Sequence, residues 1–89
     1  MAIELKFKTL INTSWLKELG FTEIGADKDK WEYIIQKYGG YSDFIYYEFE
    51  NKRLVIQYKC NQVELVNCTK KETLRRALSL IGYKLNTLI

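Results

Sequence analysis

The sequence predicts an α+β fold: an antiparallel β-meander of three to five strands, a short helix over residues 14–19, and a C-terminal helix over residues 70–82 packed on one face. Three stretches carry that reading. Residues 44–59, FIYYEFENKRLVIQYK, sort into an apolar and a mixed face when folded about Asn51. Residues 69–85 repeat Leu74, Leu78, Ile81 and Leu85 at helical spacing. Residues 13–21, TSWLKELGF, carry both a helix start and a helix stop.

The elements follow in order along the chain. AIELKFKTLI alternates Ile3, Leu5 and Phe7 against Glu4, Lys6 and Lys8, a half-buried strand pattern that suits an edge strand or an arm. In the first helix Thr13 or Ser14 caps, and Trp15, Leu16 and Leu19 share a face. Gly20 ends it in the left-handed position, with Phe21 folded back on Leu16.

Residues 27–38, DKDKWEYIIQKY, satisfy two patterns at once. Trp31, Ile34, Ile35 and Tyr38 make a helical stripe behind an Asp29–Glu32 cap; Trp31, Tyr33 and Ile35 make one face of a strand ending at Gly39-Gly40. Composition and the strands downstream favour the strand. In the hairpin, a two-residue turn at Asn51-Lys52 pairs Glu50 with Arg53, Tyr47 with Ile56 and Tyr46 with Gln57. That register buries Ile45, Tyr47, Phe49, Leu54, Ile56 and Tyr58, and turns Phe44, Tyr46, Glu48, Glu50, Arg53, Val55, Gln57 and Lys59 the other way. Asn61-Gln62 then turns the chain into a last strand with Val63 and Leu65 on one face. The final helix opens on a Thr69–Glu72 capping box, holds a Glu72–Arg76 pair, and ends or loosens at Gly82.

The 89 residues form one domain, 1–89, which at this length buries roughly 60% of the surface its unfolded chain exposes. A composition 47% hydrophobic and 28% charged is that of a globular chain rather than a disordered one. No apolar run has signal-peptide or membrane-span length, so a soluble, cytoplasmic protein with no membrane association is expected. Cys60 and Cys68 are read as free thiols of a reduced compartment.

Chemistry is constrained mainly by exclusion. With no histidine, the commonest general base and the commonest transition-metal ligand are both absent. Glu48 and Glu50, two apart on one strand face, have a spacing compatible with an acid–base pair or a hard-metal site; a solvated face beside Arg53 and Lys59 is the plainer account. Gly39-Gly40 lacks any phosphate-loop pattern. An enzyme is not expected, nor any cofactor or metal.

Binding is the remaining class. Seven tyrosines suit a protein interface, and Phe44, Tyr46 and Val55 leave an apolar strip if no helix covers their face. A protein partner or self-association as a homodimer is therefore expected. The alternative is a nucleic-acid or small-anion contact at Lys70, Lys71, Arg75 and Arg76, at the amino end of the last helix, where positive charge opposes the macrodipole. A net charge of +3 permits that alternative without arguing for it.

The T-x-W-L-x-x-x-G-F string at Thr13–Phe21, the aromatic strand-rich middle and the L-x-x-A-L-x-L-x-G helix from Leu74 to Gly82 together resemble a group of short proteins. These are encoded in phages and integrated elements of gut Bacteroides-type bacteria. The resemblance covers most of the chain in layout and brings no catalytic residues with it. It implies a small accessory protein of a mobile element that binds a host or phage protein, and it favours a strand over residues 30–37.

Overall fold

A computed structural model describes residues 9–25 and 29–84. Along the chain these form α1 (Thr13–Leu19), β1 (Thr22–Ile24), β2 (Lys30–Lys37), β3 (Ser42–Glu48), β4 (Arg53–Tyr58), β5 (Asn61–Leu65) and α2 (Lys71–Ile81). The five strands make one antiparallel sheet in sequence order, β1-β2-β3-β4-β5. The predicted meander with a helix before and after it is thus the observed architecture. The alternating segment Ile3–Lys8 lies outside the described residues. Just beyond it, Leu10 bridges Lys70 and the Ile11 amide donates to the Thr69 carbonyl at 2.8 Å.

That bridge displaces a predicted cap. Residue 69 is drawn into pairing with the chain before α1, so α2 begins one residue later. Lys70 is its N-cap, extended and without a side-chain hydrogen bond, and no Thr69–Glu72 box forms. α1 is likewise capped one residue early. Asn12, not Thr13 or Ser14, accepts the Trp15 amide on Oδ1 at 2.9 Å. Both helices end as expected. Gly20 (φ 100°) and Gly82 (φ 88°) are left-handed, and the Phe21 and Tyr83 amides reach back to the Leu16 and Leu78 carbonyls.

Residues 30–37 are strand. The helix-like stripe has a local cause: a bulge between Ile34 and Gln36 inserts Ile35 as an extra residue. Trp31, Tyr33 and Ile35 face the helices, while Ile34 pairs with Phe44 on the opposite face. The turn at Gly39-Gly40 is closed by the Tyr38 amide on the Tyr41 carbonyl, with the two rings stacked at 4.7 Å.

The hairpin register differs from expectation by two residues. Glu48, not Glu50, pairs with Arg53; Tyr47 meets Leu54, Tyr46 meets Val55 and Phe44 meets Gln57. The connection is therefore Phe49–Lys52, with Lys52 rather than Asn51 left-handed (φ 51°). Phe49 leaves the ladder because its amide bonds the Asp29 carbonyl at 3.0 Å, and the Glu50 amide bonds Asp29 Oδ1. A shift of two preserves side-chain parity, so both predicted faces survive. The next turn is Lys59-Cys60, both left-handed (φ 49° and 67°), and Asn61-Gln62 belong to β5.

One core lies between the sheet and both helices. Leu16, Ile45, Leu54, Ile56 and Leu74 have no exposed surface, and Trp31, Tyr47 and Leu78 are almost as deep. Burial of each such side chain is worth about 2 kcal/mol. Tyr47 also donates its buried hydroxyl to the Cys68 carbonyl, tying the sheet to the segment that enters α2. α2 packs over β4 and β5, while α1 lies toward β2, with Lys17 over Trp31 and Gly20 against Tyr33. No described helix is long and apolar enough to cross a membrane.

Candidate functional site

Both helices pack on one side of the sheet, so the side chains of opposite parity form a face that no described helix covers. Its rows follow from the strand registers. Thr22, Glu32, Tyr46, Val55 and Glu64 run across the middle. Lys30, Glu48 and Arg53 lie on one flank; Ile34, Phe44, Gln57 and Gln62 lie on the other. Between them is a shallow depression of about 310 Å³ lined by Glu32, Phe44, Tyr46, Arg53, Val55 and Gln62.

All three residues expected at an interface, Phe44, Tyr46 and Val55, line this depression. They are not equally available. Phe44 and Tyr46 are half-buried, whereas Val55 is only 5% exposed and forms the floor beneath longer neighbours.

The polar groups on this face mostly satisfy one another. Tyr46 donates its hydroxyl to Glu48 Oε2 at 2.9 Å, and Asn51 donates to Glu48 Oε1. These hydrogen bonds, Asn51 first, hold the Glu48 carboxyl below the usual carboxylate range, with help from the charges of Lys30 and Arg53. Loss of solvent, followed by the bond to Glu48, pushes the Tyr46 phenol up to about 12. Arg53 pairs with Glu64. Glu32, in the central row, makes no ion pair among the described residues.

Glu48 and Glu50 do not meet as a pair. Glu50 sits in the turn, and both oxygens of Glu48 are already bonded. Among the described residues no three acidic, Cys or His side chains are grouped so as to hold a metal ion.

The basic residues at the start of α2 are brought near one another but are partly engaged. Lys71 Nζ lies 5.3 Å, and the Arg75 guanidinium 5.9 Å, from the centre of the Trp15 ring. Arg76 pairs with Glu72 at 3.3 Å. A recess of about 270 Å³ lined by Thr9, Lys70, Lys71, Glu72 and Arg75 opens there. Its one acidic wall residue, Glu72, opposes any anion that would enter.

Two residues were not marked as site candidates in the sequence. Asp43 is 1% exposed on the helix side of β3, and its Oδ2 accepts from the Tyr38 hydroxyl and the Lys59 amide. Its signal was parity alone: it stands two before Ile45 on the core face. Glu32 was legible only once β2 was known to be a strand. No protein-family model matches the chain, and comparison with curated proteins and with solved structures finds no match.

Proposed function

We infer that this protein is a small non-enzymatic binding module that works through protein contacts, made by the face of its sheet that no described helix covers. The observation that carries the reading is the juxtaposition of Phe44 and Tyr46, half-buried at the rim of a depression, with Glu32, a carboxylate that makes no ion pair among the described residues. A partner's arginine or lysine fits that chemistry: its aliphatic stem lies on the two rings and its charge meets Glu32. The two free thiols, Cys60 and Cys68, are consistent with a reduced cytoplasmic setting for such a module. The resemblance to short mobile-element proteins makes host and phage proteins the first partners to try.

The test is an amide-resolved titration with short peptides carrying Arg, Lys or Leu at the centre. The expected result is movement of the Phe44, Tyr46 and Val55 amides, strongest with Arg or Lys and lost in Glu32→Gln. Perturbations that fall elsewhere, or none at low salt, would remove the reading. Nucleic-acid association at Lys70, Lys71, Arg75 and Arg76 is the second reading. The recess at the amino end of α2 favours it; the stacking of two of those cations on Trp15 and the pairing of a third with Glu72 oppose it.

A further inference from the structure

The two edges of the sheet are not alike. A two-residue turn of the kind at Lys59-Cys60 is closed by a pair that exchanges both backbone hydrogen bonds, here Tyr58 and Asn61. Bonded and non-bonded pairs then alternate, so Ile56–Val63 and Leu54–Leu65 are bonded while Gln57–Gln62 and Val55–Glu64 are not. The N–H and C=O groups of Gln62 and Glu64 therefore point outward from β5, and no other described backbone group meets them. At the opposite edge the same alternation leaves only Glu23 of β1 pointing outward. β5 has no proline, no lysine and no bulge, and Glu64 is its one charged side chain.

We propose that β5 is a self-association edge, and that two copies of this chain join by antiparallel β5–β5 pairing about a two-fold axis at Val63. That register sets Gln62 of each copy against Glu64 of the other, so the outward groups of both residues form four backbone hydrogen bonds. It also places each Glu64 carboxylate opposite a glutamine amide. A two-fold axis at Glu64 would oppose two like charges, and one at Gln62 would leave Glu64 facing the Lys59-Cys60 turn. The apolar surface agrees. On α2, Lys71 and Arg75 lean over Trp15 of α1, so Leu80, about a half-turn round the helix, lies on the β5 side. Leu80 is 86% exposed and Val66, just past β5, is 68% exposed. The pairing sets both α2 helices on the same side of one sheet and extends that sheet to twice its width, whatever the open face binds.

The test is the mass of the full chain by light scattering and sedimentation from about 10 μM to about 1 mM, the range where weak edge pairing is read. A concentration-dependent dimer is expected. Gln62→Pro removes an outward N–H while sparing every bond to β4, and should weaken the dimer roughly tenfold or more. Gln62→Glu should weaken it and Gln62→Lys tighten it, because residue 62 faces Glu64 of the second copy. These two ask nothing of the backbone and carry the test if the proline variant unfolds. A chain monomeric throughout the range overturns the proposal, as does a dimer indifferent to all three substitutions. A monomer whose Gln62 and Glu64 amides resist hydrogen exchange also overturns it, since residues 1–8 of the same chain would then be the occupant.

Discussion

Asp43 Oδ2 accepts the backbone amide of Lys59 at 3.1 Å, joining β3 to the β4–β5 turn across a separation of 16 residues. The same oxygen accepts the Tyr38 hydroxyl, also at 3.1 Å. One buried carboxylate thus fastens two turns at the same end of the sheet. It holds Lys59 in the left-handed conformation that a β-hairpin of this length needs and that lysine disfavours.

Asp43→Ala is accordingly expected to destabilise the fold by about 1–2 kcal/mol, since it removes the acceptor of the part-buried Lys59 amide and opens a small void. Asp43→Asn retains one acceptor oxygen and should cost less. Urea midpoints of the two variants check the order. Equal midpoints for Asp43→Ala and the parent chain would show that the turn holds without its anchor.

The faces of the hairpin were legible in the sequence and its turn was not, for one physical reason. Faces depend on parity and on where the apolar residues fall; a slip of two leaves both unchanged. The turn depends on bonds from distant residues: Asp29 takes the amides of Phe49 and Glu50, and Asp43 takes that of Lys59. Nothing local to FENKR or YKCNQ announces those partners. The cap of α2 moved for a similar reason, through pairing with Leu10 and Ile11. At the candidate site, Phe44 and Tyr46 could be assigned to the outer face from alternation. The burial of Val55 could not, because it arises from the length of its cross-strand neighbours Tyr46 and Glu64.

Stability should fall steeply in alkali. Burial pushes the Tyr47 phenol from its ordinary value of 10.0 up to about 12, and Tyr46 and Tyr83 rise to about 12 as well. The folded chain therefore keeps protons that the unfolded chain has lost. The stabilisation is whole below pH 10.0 and disappears as pH climbs to about 12. For the buried Tyr47 this amounts to roughly 2–3 kcal/mol. Tyr47→Phe should cost roughly 1–2 kcal/mol at neutral pH by leaving the Cys68 carbonyl unpaired, yet flatten the alkaline limb. Urea midpoints at half-unit steps above pH 9 read both effects; an unchanged alkaline slope would mean that Tyr47 titrates normally.

The two thiols should separate cleanly. Cys60 is exposed in the turn, whereas Cys68 is 1% exposed, and burial pushes its thiol up to about 11. Iodoacetamide at pH 8 is expected to alkylate Cys60 in the folded chain, and Cys68 only at the rate of unfolding. Indistinguishable rates would place Cys68 nearer the surface. Cys60→Gly, by relieving a left-handed φ of 67°, should stabilise the fold by about 1 kcal/mol.

The basic start of α2 is expected to matter for stability more than for nucleic acid. Lys71 and Arg75 both lean over Trp15, and their aliphatic stems help to cover a ring that is 9% exposed. Reversing both charges, Lys71→Glu with Arg75→Glu, should cost roughly 1–2 kcal/mol through lost cation–π contact. Lys70→Glu lies off the ring and should cost little. In gel shifts with short DNA and RNA at low salt, the parent chain should show no retained complex, because Arg76 is paired with Glu72 and Glu72 also lines the recess. A shift that weakens with salt and vanishes in the double variant, while that variant keeps its urea midpoint, would reverse the assignment and make these side chains phosphate contacts.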